Sequence, residues 1–217
     1  MSKQRATGKG RTTSKPRRRA RRDPRPDETQ HLIDLYRGGR YQQALDAAES
    51  FTGRWPDLAV GWNALAASHD ALGAPREAVK AYRRATRIEP GNAGTWNNLG
   101  NALLATGAPA EAVDAFRQAV ASAPSQVELH YNLGLALLER GQPTEALKAF
   151  DSVLGTRPGS ADARNARGNA LRALGRDAEA CQAYAQASEA APQNAEFHNN
   201  FGRALEQLGR ADEAEGA

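Results

Sequence analysis

One cysteine, Cys181, stands in 217 residues, and a single cysteine cannot form an intrachain disulfide. A stapled extracellular scaffold is therefore excluded, and a reducing compartment is expected. No apolar run approaches the ~18 residues needed to cross a bilayer, and none forms the hydrophobic core of a secretory leader. A cytoplasmic location follows as the expectation. The four histidines, His31, His69, His130 and His198, are scattered, and no His or Cys pair has metal-ligand spacing. Serine is sparse and none has an acid or base partner placed beside it, and no strand precedes a glycine-rich loop. Neither a metal nor another cofactor is expected, and catalysis by this segment is not.

What the chain does contain is a period. Proline recurs at Pro56, Pro90, Pro124, Pro158 and Pro192, and glycine at Gly39, Gly73, Gly107, Gly141, Gly175 and Gly209. Alanine recurs at Ala44, Ala78, Ala112, Ala146, Ala180 and Ala214, with a ring four residues later at Tyr82, Phe116, Phe150 and Tyr184. Each series steps by 34 residues. With Ala93 as position 1, Trp96 falls at 4, Leu99 and Gly100 at 7 and 8, Gly107 at 15, Ala112 at 20, Phe116 at 24, Ala119 at 27 and Pro124 at 32. Period and pattern resemble the tetratricopeptide repeat throughout.

Each recurring residue has a physical task. Glycine at 15 is placed to stop a first helix in the left-handed region, where a Cβ is penalised. Proline at 32 closes the second helix. Alanines at 20 and 27 let two helices approach, and the ring at 24 with the residues at 4, 7 and 8 fills the seam. His130 and His198 occupy the slot held by Trp62 and Trp96 and read as seam residues. One unit cannot bury this seam alone, so stability is expected to be a sum of unit and nearest-neighbour terms. The predicted fold is all-α, a right-handed superhelical solenoid of antiparallel helix pairs.

The register divides the chain into a disordered Arg/Lys-rich tail over 1–24, a degenerate first unit over 25–58, full units over 59–92, 93–126, 127–160 and 161–194, and an incomplete one over 195–217. In the first unit His31 and Leu32 replace the usual Leu and Gly, and Ala48 replaces the ring. The last unit stops at position 23, so the chain reads as the N-terminal piece of something longer. Its uncapped end is an apolar face on which another copy could stack, which leaves the oligomeric state open.

Charge is distributed unevenly. Residues 1–25 hold eleven Lys or Arg against Asp23 alone, a net +10, while 18 basic and 24 acidic residues leave the remainder at −6. The arm has nothing apolar to bury and should be disordered. It reads either as an electrostatic attachment to nucleic acid or an anionic membrane surface, or as a solubilising tail without aromatic residues to stack on bases.

The first helices of successive units should line a concave groove. At 100° per residue, positions 2, 6, 9 and 13 lie opposite the apolar positions 4, 7, 8 and 11. The groove residues are then Asn98, Asn132 and Asn200 at position 6, Asn101, Asn169 and Arg203 at position 9, and Glu128, Asp162 and Glu196 at position 2. Asn63, Asn97, Asn165 and Asn199 at position 5 form its flank. Asparagine is an indifferent helix former, so propensity does not explain the recurrence. A side-chain amide offers the donor and acceptor needed to grip the backbone of an extended peptide. The acids favour a basic or neutral segment, and the basic clamp by which some tetratricopeptide proteins hold a C-terminal carboxylate is not evident.

The row Asn98, Asn132, Asn200 is similar to the asparagine ladder in the superhelical arm of the O-linked N-acetylglucosamine transferases, with interruptions at Ala64 and Ala166. The stretch from Leu32 to Tyr41, followed by Phe51-Thr52-Gly53-Arg54-Trp55-Pro56, resembles the first unit of bacterial tetratricopeptide proteins that carry a glycosyltransferase or sulfotransferase domain. These resemblances imply a non-catalytic scaffold that binds an extended segment of a partner protein. The alternatives are the recognition arm of a larger transferase, cut at residue 217, and a nucleic-acid-associated adaptor acting through the tail.

Overall fold

The computed structural model describes residues 23–209; the basic tail, apart from Asp23, Pro24 and Arg25, lies outside them, as does the chain after Gly209. Eleven helices and no strand occupy the described residues. We label them in chain order α1 (Pro26–Arg37), α2 (Tyr41–Arg54), α3 (Ala59–Ala71), α4 (Pro75–Ile88), α5 (Ala93–Ala105), α6 (Pro109–Ser122), α7 (Val127–Glu139), α8 (Pro143–Thr156), α9 (Ala161–Ala173), α10 (Asp177–Ala190) and α11 (Ala195–Gln207). Odd-numbered helices are the first of each repeat and even-numbered ones the second. Each helix packs on its sequence neighbours, and from α1 to α9 each odd-numbered helix also meets the next odd-numbered one, the arrangement of a solenoid.

Every first helix ends in the same way. Gly39, Gly73, Gly107, Gly141, Gly175 and Gly209 all have φ between +70° and +75°, where an L side chain is strained. In the third repeat the amide of Ala108 then reaches back to the carbonyl of Leu103 (2.9 Å), closing the helix by a 6→1 bond. Second helices stop differently. The residue before each recurring proline leaves helical geometry, from Trp55 (φ −130°, ψ 68°) to Ala191 (φ −140°, ψ 72°). A following proline ring disfavours the α region for its predecessor, so the stop comes one residue ahead of the proline itself.

Between the two helices of a repeat, small meets large. Ala78, Ala112 and Ala146 are fully buried, and Phe116, Phe150 and Tyr184 are at most 1% exposed. A Cβ built on Gly100 would lie 2.7 Å from Phe116, on Gly134 2.5 Å from Phe150, and on Gly168 2.6 Å from Tyr184. These glycines make room for the ring of their own repeat. The first repeat makes the opposite exchange: Leu32 sits where glycine is usual and Ala48 where the ring is, both buried in the same core. Its ring is Phe51, one turn further on, and Gly61 of the next repeat accommodates it, since a Cβ there would lie 2.5 Å from Phe51. The departures that make this unit look degenerate thus compensate one another in volume.

Candidate functional site

Three recurring kinds of polar contact join one repeat to the next, and two of them follow from residues already singled out. The ring N–H at position 4 reaches the carbonyl of the preceding repeat's proline: Trp62 Nε1 to Pro56 (2.9 Å) and Trp96 Nε1 to Pro90 (2.8 Å). His130 Nε2 makes the same contact with Pro124 (2.8 Å) and His198 Nε2 with Pro192 (3.1 Å). A carbonyl can only accept, so both imidazoles carry a proton on Nε2. These histidines therefore do the tryptophan's polar work. Arg164 holds the slot in the fifth repeat and donates instead to the carbonyl of Gln186 (3.1 Å). On the second-helix side, Arg83 pairs with Glu111 and Arg117 with Glu145 (2.6 Å), one repeat on. Such exposed pairs are each worth ~0–1 kcal/mol.

The third contact concerns the asparagines. Asn132 Nδ2 donates to Asn97 Oδ1 at 2.8 Å, and Asn200 Nδ2 donates to Asn165 Oδ1 at 2.9 Å. Position 6 of one repeat thus bonds position 5 of the repeat before. At the intervening seam both partners differ, with Tyr131 at position 5 and Ala166 at position 6. The interruption of the row at Ala166 is the loss of one half of a pair whose other half is also absent. Asn63 Oδ1 accepts from the Thr95 hydroxyl (3.0 Å), and Asn169 Oδ1 accepts from the Tyr184 hydroxyl (2.8 Å).

The structure consequently spreads the sequence-predicted residues over different depths. Asn98, Asn101, Glu128, Asp162, Glu196 and Arg203 are exposed, as is Asn199 on the flank. Asn132, Asn169, Asn200, Asn63 and Asn97 are half-buried, and Asn165 is only 6% exposed. Asn165 is a buried strut, where the helical wheel places it on the groove flank. Glu128 binds Arg157 at 2.7 Å; its own backbone amide and that guanidinium hold its carboxyl below the usual carboxylate range.

Two tyrosines at position 24 bring hydroxyls to this side of the stack, where the intervening repeats have Phe116 and Phe150. Burial pushes the Tyr82 phenol far above its ordinary value, with the Asp70 charge adding to the shift and a hydrogen bond with Asn98 opposing it. Burial also raises the Tyr184 phenol, opposed by the charges of Arg172 and Arg203. Arg172, Arg203, Asn200 and Tyr184 line a cleft of about 400 Å³ between α9 and α11. The wheel misses Arg172 because position 12 belongs to neither the groove positions nor the seam; only its convergence with Arg203 marks it. A second cleft, about 310 Å³, opens at the seam without an asparagine strut, beside Tyr131, Asn132 and Asp162. Among the described residues no group of three or more His, Cys, Asp or Glu is placed to hold a metal ion. No described helix is long and apolar enough to cross a membrane.

A stack of paired helices with glycine-stopped first helices and amide struts between repeats defines a helical-repeat protein. The chain belongs to the tetratricopeptide repeat family, whose model matches residues 29–93, 63–127, 131–195 and 178–217. No curated protein sequence gives a significant match. Among solved structures, YrrB, described as a TPR protein with an unusual peptide-binding site, superposes with a TM-score of 0.72 at 20% identity, over 78% of this chain and 87% of that one. MamA from Desulfovibrio magneticus RS-1 gives 0.69 at 22% identity over 73% and 89%, and PilF of Pseudomonas aeruginosa 0.70 at 22% over 88% and 86%. At these identities the likeness establishes the fold.

Proposed function

We propose that this protein is a non-catalytic interaction scaffold that holds an extended segment of a partner protein along the faces of its first helices. The observation that carries this reading is the state of the asparagine pairs. In the Asn97–Asn132 bond one amide N–H of Asn132 and one oxygen of Asn97 are used, which leaves Asn132 Oδ1 as acceptor and Asn97 Nδ2 as donor beside each other. A peptide backbone presents the complementary pair. Because the strut already fixes both side chains, little rotamer entropy is lost on binding. Asn101 and Asn98 continue the row as exposed amides. YrrB, a TPR protein described as having an unusual peptide-binding site, is in keeping with this reading.

The test is to pan a random dodecapeptide library on the full chain and map the selected peptides by amide chemical shifts. Perturbations concentrated on α5, α7 and α9, together with weakening by Asn101→Ala, are expected. Perturbations confined to the even-numbered helices would sink the proposal.

A further inference from the structure

The two arginines beside Tyr184 act on its phenol through their charge. Arg172 and Arg203 come from successive first helices, both are exposed, and neither forms an ion pair or hydrogen bond with another described residue. Both line the cleft of about 400 Å³ between α9 and α11, along with Asn200 and Glu206. Asn200 gives one amide hydrogen to Asn165, so its second remains available as a donor into the cleft. The Tyr184 hydroxyl gives its proton to Asn169 and is not a donor here. Two guanidinium forks and one amide N–H make a site for a single planar anion.

The pairing of position 12 in one repeat with position 9 in the next puts arginine on arginine only at this seam. The corresponding pairs are Tyr36 with Ala67, Asp70 with Asn101, Leu104 with Leu135 and Leu138 with Asn169. The groove therefore changes character along its length, from the Asp70 charge near Tyr82, through Leu135, which is 40% exposed, to the arginine pair at Tyr184. The described repeats thus offer chemically different stretches of groove.

Building on the reading of the groove given above, we propose that Arg172 and Arg203 form a carboxylate-binding subsite that takes an internal Asp or Glu side chain of the bound segment. Arg172 at position 12 lies six residues beyond position 6 on its helix, about 9 Å at 1.5 Å per residue, a distance that an acidic side chain of the bound segment and the arginine span together. Amidating the peptide separates this from capture of a chain terminus. Glu206 also lines the cleft, so two guanidinium charges against one carboxylate leave it a net charge that suits a single acidic side chain and disfavours the repeating charge of a nucleic acid.

The experiment uses the full chain and the double variant Arg172→Gln/Arg203→Gln, each panned with the same random dodecapeptide library. Selection on the wild type should enrich Asp or Glu in one column, and selection on the variant should lose that column. A selected peptide resynthesised with Glu→Gln at the column should bind the wild type at least tenfold more weakly and the variant no differently. Amidating its C-terminus should change nothing. Arg172→Glu/Arg203→Glu should in turn prefer the Glu→Lys peptide. The proposal is overturned if no acidic column appears, if amidation rather than Glu→Gln weakens binding, or if oligo(dT) displaces the peptide in a manner abolished by the same variants. Peptides weakened by Asn101→Ala but indifferent to the arginine variants would remove the subsite and leave the groove reading intact. Failure to select any peptide that Asn101→Ala weakens would remove both.

Discussion

Asn132 donates its side-chain amide to Asn97, 35 residues earlier, at 2.8 Å, and so ties α7 to α5 on the groove side. Replacing Asn132 by Ala should lower stability by about 0.5–1.5 kcal/mol, the net worth of one such hydrogen bond. Asn101→Ala removes an exposed amide and should leave the melting temperature nearly unchanged while weakening a groove peptide. Thermal melts of both variants beside peptide titrations separate the two effects. Equal destabilisation by the two substitutions would contradict the assignment of Asn132 as a strut.

The clearance between Gly134 and Phe150 is small enough to predict a graded response. Ala66 occupies the equivalent position opposite Tyr82, so one methyl can be accommodated when the ring shifts. Gly134→Ala should therefore destabilise by ~1 kcal/mol, and Gly134→Val, a branched side chain against a fully buried ring, by ~3 kcal/mol or more. Urea unfolding of the two variants measures the ratio.

Trp96 and His130 make the same bond to the proline behind them. Trp96→Phe deletes the N–H and should cost about 1 kcal/mol. Trp96→His should lose less than expected from its smaller apolar area, because Nε2 restores the donor. A Trp96→His variant that loses all the stability its smaller apolar area predicts would show that the bond to Pro90 contributes nothing.

The first repeat offers a rescue experiment. Ala48→Phe alone places a ring against Leu32 and should destabilise strongly, and Leu32→Gly alone should leave a cavity. The double variant rebuilds the glycine–ring pair of the other repeats and should recover much of the loss. Additive losses in a double-mutant cycle would refute the size exchange.

Alkali gives a further check through Tyr82. Its phenol is raised by burial, so the folded state keeps the proton more tightly than the unfolded chain does. The associated stability is fully present below the unfolded value of ~10 and declines as pH rises through the folded one. Tyr82→Phe should flatten the fall in stability between about pH 10 and 12, read by urea titration at each pH.

The helical stack was legible from spacing alone, because glycine at 15 and proline at 32 act through the local backbone and need no distant partner. The groove was legible only in part. A helical wheel orients Asn132 and Asn165 from their own helix, yet the neighbouring repeat decides that one stays half-open and the other is buried. Arg172 escaped notice for the same reason: its meaning depends on Arg203, which lies 31 residues away in sequence. The tail's eleven basic residues in 1–25 lie, but for Arg25, outside the described structure, and their reading rests on composition.

The six glycine hinges span only 5° in φ, whereas the residues before the recurring prolines range in φ from −126° at Arg157 to −147° at Ala123. Within a repeat the joint hardly varies; between repeats it varies by about 20° in φ. Differences in angle from one repeat to the next therefore enter at the pre-proline joints. Substitutions there would alter the curvature presented to a ligand without touching any residue the ligand meets.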